Sequence, residues 1–305
     1  MIIMPITSFQ AKCQNALFVS DSGAKAYYSA YDSLLSKFQV NYIDHFIETN
    51  LGTCHLIEVG DSEAPPVLLL PAAGCSAAEW YANLNELGKQ NRVFALDLPG
   101  DAGKSILRKQ VGPMLIEDYN VMIGEILDNF QLKEVTLVGH SIGGFLATGF
   151  AISHPERVKH LVLLSPVATH INIKWYFRIL LEMGGKPGKG PSAEKTLKMQ
   201  ASKGFDPEPL FVNLMQCVRD YCRVDLLFPY VYSSDELSSI SIPTSLIIGT
   251  NEVLCNYKRS IRNAKSAFEN VDIYIMDKTG HTPNMEIPDQ FNLIVHSILS
   301  TNSKE

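Results

Sequence analysis

The run Glu134-Val-Thr-Leu-Val-Gly139-His140-Ser141-Ile142-Gly143-Gly144 decides how the rest of the chain is read. Residues of strand character lead into a serine with glycines two positions to either side. An apolar run of helical length, Phe145 to Ile152, follows. A buried strand that turns at once into a buried helix leaves Ser141 on a sharp, strained corner with its hydroxyl exposed. Gly139 and Gly143 approach each other across such a turn, so a side chain at either would collide. The pattern alone is short enough to recur by chance. Its meaning depends on whether a carboxylate, a histidine and a second loop of backbone donors occupy matching places.

Upstream of this run the chain alternates between strand and helix patterns. Tyr42 to Glu48 and Thr53 to Val59 read as a hairpin about Thr49-Asn-Leu-Gly52. Val67-Leu-Leu-Leu70 is a continuous apolar run, the signature of a strand buried on both faces. A helix is expected over Ala77 to Leu87, a strand over Arg92 to Leu98 and a helix over Asp118 to Gln131. Beyond the serine come a strand at His160 to Ser165, another at Thr244 to Ile248, a helix at Tyr257 to Phe268, a strand at Val271 to Met276 and a last helix from Pro288 to Ser300. The rhythm predicts a mostly parallel eight-stranded sheet with helices on both faces, an α/β architecture with an antiparallel pair at one edge.

Two segments stand outside that rhythm. Residues 1–40 precede it, with a helix expected over Ala24 to Phe38 after cap-like Asp21 and Ser22. Residues 169–238 interrupt it with helical patterns at Ile171 to Met183, Ala193 to Lys203 and Pro209 to Cys222, and read as an inserted helical cap. The core is then 41–168 together with 239–305.

Composition narrows the classes. The 305 residues are 46% hydrophobic and 19% charged, with a net charge of −6. An acidic balance with dispersed lysines and arginines argues against a nucleic-acid partner. No segment reaches the roughly 18 apolar residues of a membrane span. The apolar start, Met1 to Phe9, lacks the basic residues that open a secretory signal, which points to the cytoplasm. Six scattered cysteines suggest buried thiols rather than a disulfide framework.

Past Ser141, two loops at strand ends carry further chemistry. Gly249-Thr-Asn-Glu252-Val253 places a carboxylate after one strand, and Asp277-Lys-Thr-Gly280-His281 places a histidine after the next. The order serine, acid, histidine is that of one serine-hydrolase architecture. Asp277 is a weaker competitor for the acid because it lies only four residues before His281. With Asp97-Leu-Pro-Gly100 and Pro155-Glu-Arg-Val158 added, the chain resembles the α/β-hydrolase superfamily, in its capped, esterase-like branch. The resemblance spans roughly residues 42–168 and 240–300.

That resemblance implies roles. Ser141 would be the nucleophile, His281 its base and Glu252 the acid that orients the imidazole, with Glu where relatives usually have Asp. Ile142 and Ala73 would supply the backbone N–H groups of an oxyanion hole. Ala73 lies in Leu70-Pro71-Ala72-Ala73-Gly74-Cys75-Ser76, where relatives usually begin with His-Gly, so the conformation of this loop is the open point. His140 is expected to pack locally, and Glu286 to bond backbone around the histidine. Gly100-Asp-Ala-Gly-Lys-Ser105 ends like a phosphate loop but has Leu98 where its first glycine should be, which excludes that reading. The expected activity is a cofactor-free, metal-free serine esterase acting on a small ester with an apolar part. Other serine-type hydrolase reactions, and a binding protein that kept the fold, are the alternatives.

Overall fold

The computed structural model describes residues 17–108, 113–175, 177 and 187–301. Eight strands follow one another across the sheet: β1 (Ile43–Thr49), β2 (Gly52–Val59), β4 (Arg92–Asp97), β3 (Pro66–Leu70), β6 (Val135–His140), β7 (Val158–Leu164), β8 (Thr244–Gly249) and β9 (Val271–Met276). A ninth, two-residue strand, β5 (Ile106–Leu107), pairs with β2. The sheet is mixed: β2 runs antiparallel to β1 and β4, and the pairs from β4 through β9 are parallel.

The apolar run in β3 shows why the central strands need no polar face. Val67 and Leu69 point into one core cluster, and Leu68 and Leu70 into the other on the opposite side of the sheet. In β4, Val93 and Ala95 divide from Phe94 and Leu96 in the same way. Successive side chains on a strand face opposite sides, so a strand covered on both must be apolar throughout. One covering layer includes α1 (Asp21–Lys37) and the C-terminal helix Pro288–Thr301. The other is built on α3 (Ile116–Asn129) and α4 (Ile142–Ser153).

Helix α1 begins one turn earlier than its apolar spacing suggests. Its cap is Ser20, whose hydroxyl accepts the Gly23 N–H at 3.1 Å, rather than Asp21 or Ser22. Tyr27, Tyr31, Leu34 and Leu35 are buried against the body. The helix expected over Ala77 to Leu87 is instead a 3₁₀ turn, Ala77–Trp80, followed after a break by the single-turn α2, Leu84–Leu87. Side chains compete with helix bonds here: Asp97 accepts the Ala77 N–H at 2.6 Å, and Asn83 reaches the Asn284 carbonyl and the Asn292 side chain.

Between β7 and β8 the described helices are α5 (Ala193–Gln200), α6 (Pro209–Tyr221) and the short α7 (Ser234–Ser238). The helix expected over Ile171 to Met183 lies mostly outside the described residues. Trp175 is 73% exposed, whereas Phe177 is buried. After β8 come α8 (Tyr257–Ala267), then α9 (Pro283–Glu286) and α10 (Pro288–Thr301).

Candidate active site

Ser141 sits at the junction of β6 and α4 with φ 53° and ψ −113°. Few non-glycine residues hold positive φ, and the cost is of order 1–3 kcal/mol. The surrounding bonds offset it. Ser141 N–H donates to the Leu164 carbonyl at 3.0 Å, and its own carbonyl accepts from Gly144, Phe145 and Val167 at 3.1–3.2 Å. The neighbouring glycines are required by space: a Cβ on Gly139 would lie 2.3 Å from the Gly143 oxygen, and one on Gly143 would lie 2.3 Å from the Leu70 oxygen. The latter contact also places the start of the 71–76 loop directly against the serine turn.

The ends of β8 and β9 bring the other two residues in. His281 Nε2 is 3.0 Å from Ser141 Oγ, and its Nδ1 faces both Glu252 oxygens at 3.1 and 2.9 Å. All three residues are buried. Burial alone would raise the Glu252 pKa, but the facing His281 ring and the Leu254 N–H, donated at 2.8 Å, hold it below the ordinary value. An ionised carboxylate on Nδ1 makes that nitrogen the N–H donor and leaves Nε2 free to accept the serine proton. Asp277 instead accepts the Thr250 hydroxyl at 3.2 Å, on the surface. Among the described residues no group of three or more His, Cys, Asp or Glu side chains could hold a metal ion.

The main chain of His281 is fixed on both sides. Its N–H donates to the Gln200 carbonyl at the end of α5 (2.8 Å), and its carbonyl lies 2.8 Å from His140 Nε2. Glu286 accepts the Gly280 N–H at 2.9 and 3.0 Å and the Ser202 N–H at 2.8 Å, so it shapes the histidine loop as its position in the sequence suggests. His140 does more than pack: Nδ1 contacts Glu79, whose second oxygen accepts the Ala72 N–H at 2.8 Å. Sequence reasoning did not find Glu79, because its partners are far away along the chain and its segment reads as ordinary helix.

The loop 71–76, the open point of the sequence, closes without backbone strain at its alanines. Neither Ala72 nor Ala73 has a positive φ; that conformation falls on Gly74, at φ 75°. The Gly74 N–H donates to both oxygens of Asp101 (3.1 and 2.8 Å), and Ala102 N–H donates to the same carboxylate at 2.7 Å. Asp101 is fully buried, and burial pushes its pKa up to about 8 against the pull of these two N–H groups, with Asp97 and Glu79 adding to the rise. Over this loop, Met215 of α6 lies with its sulfur 4.0 Å from Cys75 Sγ.

Comparison with known proteins places this geometry. Residues 65–207 match a family model described as the alpha/beta hydrolase fold. An uncharacterised carboxylesterase (nap) of Bacillus subtilis is 29% identical over 282 residues, covering 90% of this chain and 92% of its own. The crystal structure of carboxylesterase CesB (YbfK) from Bacillus subtilis superposes with a TM-score of 0.83 at 27% identity, over 92% of this chain and 99% of that one. The naproxen esterase (carboxylesterase NP) of Bacillus subtilis gives 0.81 at 28%, with the same coverage. With the sheet order, the serine turn and these likenesses together, the chain has the α/β-hydrolase fold and is an esterase-like hydrolase.

Proposed function

We propose that this chain is a carboxylesterase-type serine hydrolase in which Ser141 is the nucleophile, His281 the general base and Glu252 the acid that orients it. The observation that carries the reading is the continuous contact from Glu252 through His281 to the Ser141 hydroxyl, on a turn that holds the serine in a strained conformation. The ester carbonyl carbon is attacked by Ser141 Oγ as its proton passes to His281 Nε2. The tetrahedral oxyanion is held by the N–H groups of Ile142 and Ala73. His281 then gives the proton to the departing alkoxide and the C–O bond breaks, leaving an acyl-serine. Water repeats the sequence: its proton goes to His281, its oxygen bonds the acyl carbon, and Ser141 leaves with the proton as the acid is released.

Residues 169–238 form the cap of this site in our reading. Support comes from Met215 over the Gly74–Cys75 turn and from the Gln200 carbonyl on His281 N–H, which tie α6 and α5 to the two loops flanking the serine. A cap that sets Met215 beside the loop next to Ser141 suits a small ester with an apolar acyl or alcohol part. The esterase names of the similar proteins fit that substrate class. No described helix is long and apolar enough to cross a membrane. The five described cysteines are free and buried, which fits a reducing, cytoplasmic setting.

Hydrolysis of p-nitrophenyl esters of increasing acyl length tests the reading. Each methylene buried under the cap contributes about 0.8 kcal/mol, so kcat/KM is expected to rise roughly fourfold per methylene until the pocket is full. Absence of hydrolysis across the series would sink the esterase assignment. A profile flat in chain length would remove the apolar part of the substrate.

A further inference from the structure

Behind Ser141, Glu252 and His281 lies a second carboxylate–histidine pair that the hydrolytic steps leave unused. Glu79, on the 3₁₀ turn, and His140, the last residue of β6, are both fully buried. Their contacts fix the protons. His140 Nε2 is 2.8 Å from the His281 carbonyl oxygen, which can only accept, so Nε2 carries a hydrogen. Nδ1 faces Glu79 Oε1, and Glu79 Oε2 accepts the Ala72 N–H. A carboxylate on Nδ1 and a carbonyl on Nε2 together favour the imidazolium, paired with an ionised Glu79 so that the buried unit carries no net charge.

The other groups facing this ring agree with that inventory. The His281 ring lies with its centroid 5.2 Å away and Glu252 stands beyond it, while Trp80 meets the His140 ring edge-on at 6.4 Å. Burial by itself would lower the His140 pKa; Glu79, the His281 carbonyl and Glu252 reverse this and leave it raised.

We propose that Glu79 and His140 are positioning residues, a buried ion-paired brace that locks the loop of Ala72 and Ala73 and the main chain of His281 to the nucleophile turn. The brace reaches three loops at once. Holding the Ala72 N–H on Glu79, with Cys75 N–H closing the turn onto the Ala72 carbonyl at 3.0 Å, sets the plane of the next peptide, whose N–H is the Ala73 donor. Holding the His281 carbonyl sets where its ring meets Ser141, the residue next to His140 in the chain. Neither group touches the reacting atoms, and the inference rests on the reading of Ser141, His281 and Glu252 as the catalytic set.

Glu79→Gln separates bracing from charge. The amide oxygen can still accept the Ala72 N–H, and the amide N–H can donate to Nδ1 of a neutral His140 whose Nε2–H stays on the His281 carbonyl. Every bond is kept and the ion pair is lost. The full-length wild type is first labelled with a fluorophosphonate; failure to label would count against the catalytic reading itself, before the brace is at issue. Given labelling, Glu79→Ala is expected to lower kcat on the order of a hundredfold with KM nearly unchanged, because misplaced donors and base act on the transition state. Glu79→Gln is expected to recover most of that loss. A Glu79→Ala enzyme with wild-type kcat, or a Glu79→Gln enzyme as impaired as Glu79→Ala, overturns the proposal.

Nitrogen-15 spectra of the imidazole groups, assigned by the signal lost in His140→Gln, give a readout that does not depend on turnover or on the folding of Glu79→Ala. Wild-type protein is expected to show both His140 nitrogens protonated at neutral pH, and Glu79→Gln to show Nε2 alone protonated. An unprotonated Nδ1 in the wild type contradicts the ion-paired brace.

Discussion

Asp101 is the residue whose chemistry is most at odds with its surroundings. It accepts N–H groups from Gly74 and Ala102, yet it is wholly buried beside two other acids, and its pKa moves from an ordinary 3.8 to about 8. Below the lower value the folded and unfolded chains are both protonated there, and the group is neutral to stability. Between the two values the unfolded chain has released a proton that the folded chain keeps, so stability falls as pH rises, and the loss is complete above about pH 8. Asp101→Asn removes this dependence while retaining an acceptor for Gly74. Its melting temperature is expected to exceed that of the wild type by several degrees near pH 8, with the gap closing as pH approaches 4. A gap that is constant with pH would show that Asp101 is ionised throughout. Ser141, Glu252 and His281 are legible from local pattern, since each follows its strand within a few residues. Asp101 and Glu79 are not, since their partners Gly74 and His140 lie 27 and 61 positions away.

Among the elements, α1 shows how an amphipathic pattern can be right about a helix and silent about its use. Tyr31 is fully buried, its ring edge-on to His55 at 6.3 Å, with Lys104 Nζ 4.5 Å from its centroid. Gly23 lies so close to the Tyr221 ring of α6 that a Cβ there would fall within 2.6 Å of it. The helix is therefore part of the core rather than a detachable arm. Tyr31→Ala is expected to cost about 3–5 kcal/mol, as for other large aromatic deletions from cores, read as a lower urea midpoint, while Ser141 in the folded fraction still labels at the wild-type rate. An unchanged midpoint would show that α1 contributes little to the core. The break in the Ala77–Leu87 segment teaches the converse lesson. Its residues are adequate helix formers, and what bends them is Asp97 and the Asn83 contacts, which no window of local sequence contains.

At the scale of the molecule, the sheet brings together residues that the chain keeps far apart. Strand rhythm made the mostly parallel sheet and its two covering layers legible, because a strand buried on both faces must be apolar at every position, as β3 is. The order across the sheet, with β4 between β2 and β3, was not legible, since it depends on which strands pair. The helical segment before β8 was legible as an interruption, but not as the source of the Gln200 carbonyl and Met215 contacts, which depend on how α5 and α6 dock. The proposed esterase function depends on Ser141 being an activated nucleophile. The direct measurement is intact-mass detection of a fluorophosphonate adduct on the wild type and on Ser141→Ala. One adduct on the wild type and none on the variant is the expected result; an unlabelled wild type, or an adduct that survives Ser141→Ala, would contradict it.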